Sequence, residues 1–226
     1  CRQYFRIMYL SVFGNVGIGW EAYKCTSDSD VVGSYNVSVG NMSMRDSAGG
    51  SRNVCIGYNA GKSIGASSNV CIGDSAGYAS ATLVDRITTG TNNICISAGS
   101  DAYAARPTAT DVNYSISIGY FARAALDSIA IGETSLASGA NSVAIGNDTV
   151  CDQTDSVVIG SECEVTGYQW GIAIGHNVVS SSSSAQSMAI GKDLTISSAG
   201  RIQLGWGTTS LFVTSPGGGS TVNWTG

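Results

Sequence analysis

Three cysteines stand in the middle of one recurring frame: Val54-Cys55-Ile56, Val70-Cys71-Ile72 and Ile94-Cys95-Ile96. Thiols in a repeated slot could be linked if the frames stack within disulfide reach, or could hold a metal if further ligands converge. Neither is the expectation. No CxxC spacing occurs and the sequence has one His, so neither a metal nor a cofactor is predicted. Cysteine also packs as a small apolar residue, and the same slot elsewhere holds Ala, Ser, Gly or Val. Free thiols filling a small site are therefore expected. Spacing assigns no partner to Cys1, Cys25, Cys151 or Cys163.

Other reactive residues are few. His176 directly follows Gly175 and reads as an exposed turn residue; an acyltransferase built on a left-handed hexapeptide helix would need a His base and rungs near 18 residues. Asp148, Asp152, Asp155, Glu162 and Glu164 could supply a carboxylate pair for glycoside cleavage, but they fall at turn-facing positions and imply no cleft. Calcium binding of the nonapeptide type needs a regular Asp in each repeat, which is missing, and a phosphate loop is not supported because the glycines recur with the rung and Gly61-Lys62-Ser63 has Ile56 where that loop needs its first glycine. No catalytic residue is assigned.

What must position these residues is a repeat. Ser128-Ile-Ala-Ile-Gly132 returns as Ser142-Val-Ala-Ile-Gly146, Ser156-Val-Val-Ile-Gly160 and Gly171-Ile-Ala-Ile-Gly175. Followed outward, the phrase recurs at Gly19, Gly40, Gly57, Gly73, Ser97 (in place of Gly), Gly119, Gly191 and Gly205. The twelve copies are separated by 21, 17, 16, 24, 22, 13, 14, 14, 15, 16 and 14 residues. A short fixed period signals stacked units, not a globular core.

Each copy reads as a short strand, with β-branched or apolar residues first and third and a small one between. A weaker second strand follows the glycine, as at Ala122/Ala124, Ser135/Ala137, Thr149/Cys151, Cys163/Val165 and Leu194/Ile196. Turn residues close the unit. The fold class is thus all-β: a parallel β-roll of about 12 rungs with a 14-residue core period. The glycine marks a corner where positive φ is cheap, so Ser97 predicts an irregular rung.

The outer pairs, such as Ile129/Ile131 and Val143/Ile145, are expected to fill the roll interior, so that Val143→Asp would unfold the central rungs. The middle slot then points away. It reads Gly17, Ser38, Cys55, Cys71, Cys95, Ser117, Ala130, Ala144, Val158, Ala173, Ala189 and Gln203. Small residues there either suit a tight strand or let other backbones approach. The second reading places the row, up to Ala189, at the seam of a homotrimer, blocked by Ala144→Arg.

Residues 1–14 read as a cap or lead-in, 15–205 as the repeat domain, and 206–226 as a C-terminal hairpin or cap around Pro216-Gly-Gly-Gly219. Insertions at 79–92 and 103–113 are expected to leave the roll as loops, with Pro107 blocking ladder continuation. Their Arg86, Tyr103 and Arg106 are candidate receptor-binding residues, since loops on a rigid scaffold carry recognition. Five N-x-S/T sequons occur, at Asn36, Asn41, Asn113, Asn147 and Asn223, relevant only in a glycosylating compartment.

Charge is sparse, and the net −5 disfavours nucleic-acid or anionic-membrane partners. No apolar run reaches the length of a membrane helix. The segment 7–13 is too short and too polar for a signal peptide. The start at Cys1 points to a fragment or a processed form.

The phrase Ser-Val-Ala-Ile-Gly followed by x-x-Ser/Ala-x-Ala resembles the YadA-like head repeat of trimeric autotransporter adhesins, which is similar to repeats in phage and viral fibres. The likeness spans about 15–205 and is densest over 128–191. It implies a left-handed roll and a homotrimer. It also implies a non-enzymatic fibre or adhesin segment that attaches to a host surface glycan or protein and adjoins neighbouring fibre segments. The sequence departs from the bacterial adhesins in showing no heptad stalk and no anchor barrel, and in its seven Cys. Exported passengers tend to avoid Cys, whereas a reducing cytoplasm tolerates it. A viral or phage fibre at the virion surface is therefore the first expectation. The alternatives are a bacterial surface adhesin head and a glycan-cleaving tailspike.

Overall fold

The structure, a computed structural model, describes residues 7–8, 14–24, 33–47, 49–78, 90–97, 106–108, 112–167, 169–181, 186–214 and 221–225. It is all-β, with parallel strands stacked as a solenoid and no helix among the described residues. All twelve phrase copies form strands, yet the solenoid has about nine turns, fewer than the twelve rungs expected. One reason is visible at the last copy: Arg201–Trp206 folds back into an antiparallel partner instead of coming round again. Two units are distinguished, residues 1–124 and 125–226.

In the first unit, Val16–Ile18, Val37–Val39, Val54–Ile56, Val70–Ile72, Ile94–Ile96 and Ile116–Ile118 pair in parallel. Each first residue lies opposite the next, so the insertions do not shift register. A one-residue slip would turn every side chain to the wrong face. Ile7–Met8 pairs antiparallel with Val16–Ile18. Arg106–Pro107 is a strand in parallel register with Arg123–Ala124, which corrects the expectation that this segment leaves the roll and that Pro107 stops the ladder. Pro107 donates nothing; the neighbouring Thr108 amide bonds the Ala124 carbonyl at 2.9 Å. Arg106–Pro107 pairs with one strand among those described, and an edge is where a sheet admits proline.

In the second unit, Ile129–Ile131, Val143–Asn147, Val157–Ser161, Ile172–Ser180, Met188–Ile196 and Arg201–Trp206 form the parallel stack. The second strands form their own ladder: Leu136–Ala137 pairs with Val150–Cys151, and that with Glu164–Val165. In the two nine-residue strands, first and second strand run together through the corner. Thr209–Thr214 and Thr221–Thr225 add antiparallel strands after the last copy.

The facing is the reverse of what the sequence suggested. The middle-slot residues Cys55, Cys71, Cys95, Ser38, Ser117, Ala130, Ala144, Val158, Ala173 and Ala189 are all fully buried within the single chain, and Gly17 is buried too. The outer pairs are half-buried or exposed: Ile56 is 40 % exposed, Ile159 and Ile190 each 38 %. The strands alternate with period two as predicted, but the small residue goes inward. The reason is width. Each turn brings the middle slot against the second-strand residues, such as Ala122/Ala124, Ser135/Ala137 or Thr149/Cys151, all buried. That gap holds mostly small middle-slot side chains, with Val158 and Val165 both buried in a fuller rung, and turning the larger flanking pair inward instead would overfill it. Where the second strand supplies bulk, with Leu194 and Ile196, the slot is Ala189.

The residue before each strand closes the interior. In the first unit it is Asn15, Asn36, Asn53, Asn69 and Asn93, followed by Ser115, all buried. Each Oδ1 accepts the backbone N–H at the same position one rung on, Asn53 N–H to Asn36 Oδ1 at 2.8 Å and Asn69 N–H to Asn53 Oδ1 at 2.8 Å. Each Nδ2 donates to a carbonyl of the adjoining turn, Asn53 to Ala66 O at 2.8 Å and Asn93 to Val112 O at 2.7 Å. The second unit uses Ser: the Ser142 N–H reaches Ser128 Oγ at 3.1 Å while Ser142 Oγ donates to Gly139 O at 2.6 Å. Buried polar groups are thereby satisfied rung by rung.

Candidate functional site

The corner glycines set the presentation of everything beside them. Gly146 has φ +135°, and a Cβ there would stand 1.6 Å from the Gly160 carbonyl oxygen. Gly160 meets Gly175 and Gly175 meets Gly191 in the same way, at 1.8 and 1.7 Å. Positive φ was foreseen; the contact with the next rung is a second and stronger reason for glycine. At Ser97 the chain passes out of the described residues one position later.

Two residues after each glycine the backbone is left-handed again, at Thr134, Asp148, Glu162, Asn177 and Asp193 with φ of 50–55°. Asn and Asp tolerate that conformation best. This accounts for part of the acidic set. Asp148 accepts from the Thr134 hydroxyl, Asp155 from Asn141 at 3.1 Å, and Asp193 from Asn177 at 2.9 Å. The Asn177 amide, with Lys192 beside it, holds the Asp193 carboxyl below its ordinary range. Asp148, Asp152, Asp155 and Glu162 are exposed corner residues and Glu164 lies half-exposed in the second-strand ladder. His176 is exposed, in register with Ser161 and Lys192. Asp148, Asp155 and Asp193 thus brace their corners, and the set as a whole is spread along the exposed rungs.

Cys55, Cys71 and Cys95 are in register on three successive strands. All five described cysteines are free and buried. Hydrogen bonding to Cys71, with burial, pushes the Cys55 and Cys95 thiols up; donors on both sides hold Cys71 below them. Groups coupled this closely titrate as one unit. Burial pushes the Cys151 thiol up to about 11. Cys1 and Cys25 lie outside the described residues.

Of the candidate receptor residues, Arg86 and Tyr103 lie outside the described residues, and Arg106 is placed by its backbone in the strand Arg106–Pro107. Among the sequons, Asn36 is buried and fully hydrogen-bonded, so the folded chain cannot present it to an enzyme. Asn41 and Asn147 are exposed. No group of three or more potential metal ligands occurs among the described residues. Among the described residues no helix is long and apolar enough to cross a membrane.

The surface features that run the length of each unit are the outward ladders. In the second unit, Ile129/Ile131, Val143/Ile145, Val157/Ile159, Ile172/Ile174, Met188/Ile190 and Ile202/Leu204 stack in register. Sequence reasoning missed this face because it assigned the same side chains to the interior. Their exposure was signalled only by the size of the middle residue.

Stacked strands, pinned corners and outward apolar ladders define a structural repeat protein whose working parts are long faces. Residues 124–149 match the YadA head domain repeat, in two copies, which bears out over that segment the resemblance read across about 15–205 and densest over 128–191. The YadA head repeat is an adhesin-type structural unit. No curated protein matches the chain.

Proposed function

We propose that the chain is a non-catalytic, adhesive segment of a homotrimeric surface fibre, and that the outward β-branched ladders, not the buried middle row, form the seam between copies. The carrying observation is the partial exposure of apolar pairs over consecutive rungs, with Ile202 and Leu204 each still 38 % exposed. A continuous apolar face of this kind marks an interaction surface, and three copies around an axis would close it. The repeat match at 124–149 supports the same reading.

The buried free thiols favour a fibre assembled in a reducing cytoplasm, hence a virion-surface location with neighbouring fibre segments and a host glycan or protein as partners. A bacterial adhesin head is the second reading. Sedimentation equilibrium tests the assembly: a threefold mass at micromolar concentration is expected, and a stable monomer overturns it. Incubation with surface glycans tests the non-catalytic role, since time-dependent release of products would make the chain a tailspike enzyme instead.

A further inference from the structure

We propose that the first unit carries a glycan-binding face made by Trp20, Tyr58 and Tyr120, and that its ligand is an extended, neutral, β-linked polysaccharide. All three rings occupy the position directly after the corner glycine, and all are exposed, at 60 %, 48 % and 44 %. The column is fixed by backbone bonds: Trp20 O accepts from Met42 N–H at 2.8 Å, Asn41 O from Asn59 N–H at 3.0 Å, and Tyr58 O from Ser75 N–H at 2.8 Å. Trp20, Asn41, Tyr58 and Asp74 thus follow one another on consecutive rungs. Tyr120 stands at the same position after the strand Ile116–Ile118, three rungs beyond Tyr58. Gly19 and Gly57 admit no Cβ, each having the carbonyl oxygen of the next rung's glycine 2.4 Å from that point, and Gly119 shares their positive φ, so the backbone before each ring is held to the same corner.

That spacing selects the ligand. Parallel rungs repeat every ~4.8 Å, close to the rise of one pyranose in an extended β-linked chain. Two rungs, or three, therefore match two sugars, or three, and rings in this column can meet the C–H faces of every second or third sugar without bending the chain. Aromatic rings offer a broad apolar face with little entropy to lose. The interleaved Asn41 side chain is exposed, and the Asp74 carboxylate, though it accepts from Ser75 at 2.8 Å, has lone pairs left for hydroxyls. Base stacking by nucleic acid would use similar rings, but a chain of net charge −5 repels phosphate, and anionic glycans for the same reason.

The face deepens the adhesive reading and supplies its ligand class, independently of the trimer seam. Calorimetry of the full chain with cellohexaose and chitohexaose tests it, with maltohexaose (coiled, α-linked) and heparin (anionic) as contrasts. Binding to at least one β-linked hexamer, and to neither contrast, is expected. Trp20→Ala and Tyr58→Ala should each weaken it about tenfold or more, whereas Trp206→Ala should leave it unchanged. Trp206 is equally exposed after its own glycine but has Lys192 against its ring at 5.3 Å. Absence of binding at millimolar sugar, equal binding of maltohexaose, or insensitivity to both column variants overturns the proposal. So does a change in sedimenting mass in the variants, which would make the column a contact between copies. A monomer that still binds would refute the seam alone; a trimer that does not bind would refute the column alone.

Discussion

Asn53 shows how much one residue carries. Its amide bonds the Ala66 carbonyl and its Oδ1 receives the Asn69 N–H, both buried. Asn53→Ala strands one acceptor and one donor, each costing about 1–3 kcal/mol. Denaturant titration should show a loss of several kcal/mol for Ala and a smaller one for Ser, the residue that fills this position at Ser142. The thiols give a pH signature. Cys151 ionises near 9 when unfolded and near 11 when folded, because burial disfavours the thiolate. Its contribution is complete below pH 9 and is lost as pH rises towards 11, since only the unfolded chain then releases the proton. Thermal melts between pH 8 and 11 should therefore show falling stability, on the order of 2 kcal/mol from this group, and a shallower fall in Cys151→Ala.

Within one rung, the corner is the least forgiving element. Gly146→Ala places a methyl 1.6 Å from a backbone oxygen and demands φ +135°, so the rung must open. A loss above roughly 2 kcal/mol is expected, read as a lowered melting temperature. The exposed neighbour Asn147→Asp should stay within about 0.5 kcal/mol of the parent. The contrast between two adjacent residues checks that the glycine is required by the approach of the next rung and not by local turn chemistry alone.

For the whole molecule, Ala144 and Ile145 separate folding from assembly. Ala144 is fully buried inside the roll, so Ala144→Arg forces an unpaired charge into the interior and should unfold the central rungs. Ile145 points outward, so Ile145→Arg should leave a folded chain, by circular dichroism, that sediments as a monomer. Val143→Asp belongs with Ile145 and not with Ala144, the opposite of what strand alternation alone suggested. An Ile145→Arg variant that unfolds, or one that keeps its threefold mass, would count against the seam.

The sequence by itself determined the repeat, its register and the strand positions, because a period and an alternation are local properties of the chain. Val-x-Ile-Gly at a fixed interval allows little else. It also marked the corner glycines and favoured free thiols over linked ones. Which face of the strand is the inside was not local. Ile129-Ala130-Ile131 alternates equally well either way, and hydrophobicity alone favours burying the two large residues. Only the tertiary structure decided it: the interior is filled by middle-slot residues such as Ala130 and Ala144 together with second-strand residues such as Ala137 and Cys151, and the larger flanking pairs would overfill it. The asparagine ladder was hidden for the same reason: Asn36 and Asn53 look like turn residues until the next rung brings a buried N–H to each side-chain carbonyl oxygen. Likewise Pro107 reads as a strand breaker in sequence, and becomes a strand residue because the bond to the paired Ala124 carbonyl comes from the Thr108 N–H and none is required of Pro107.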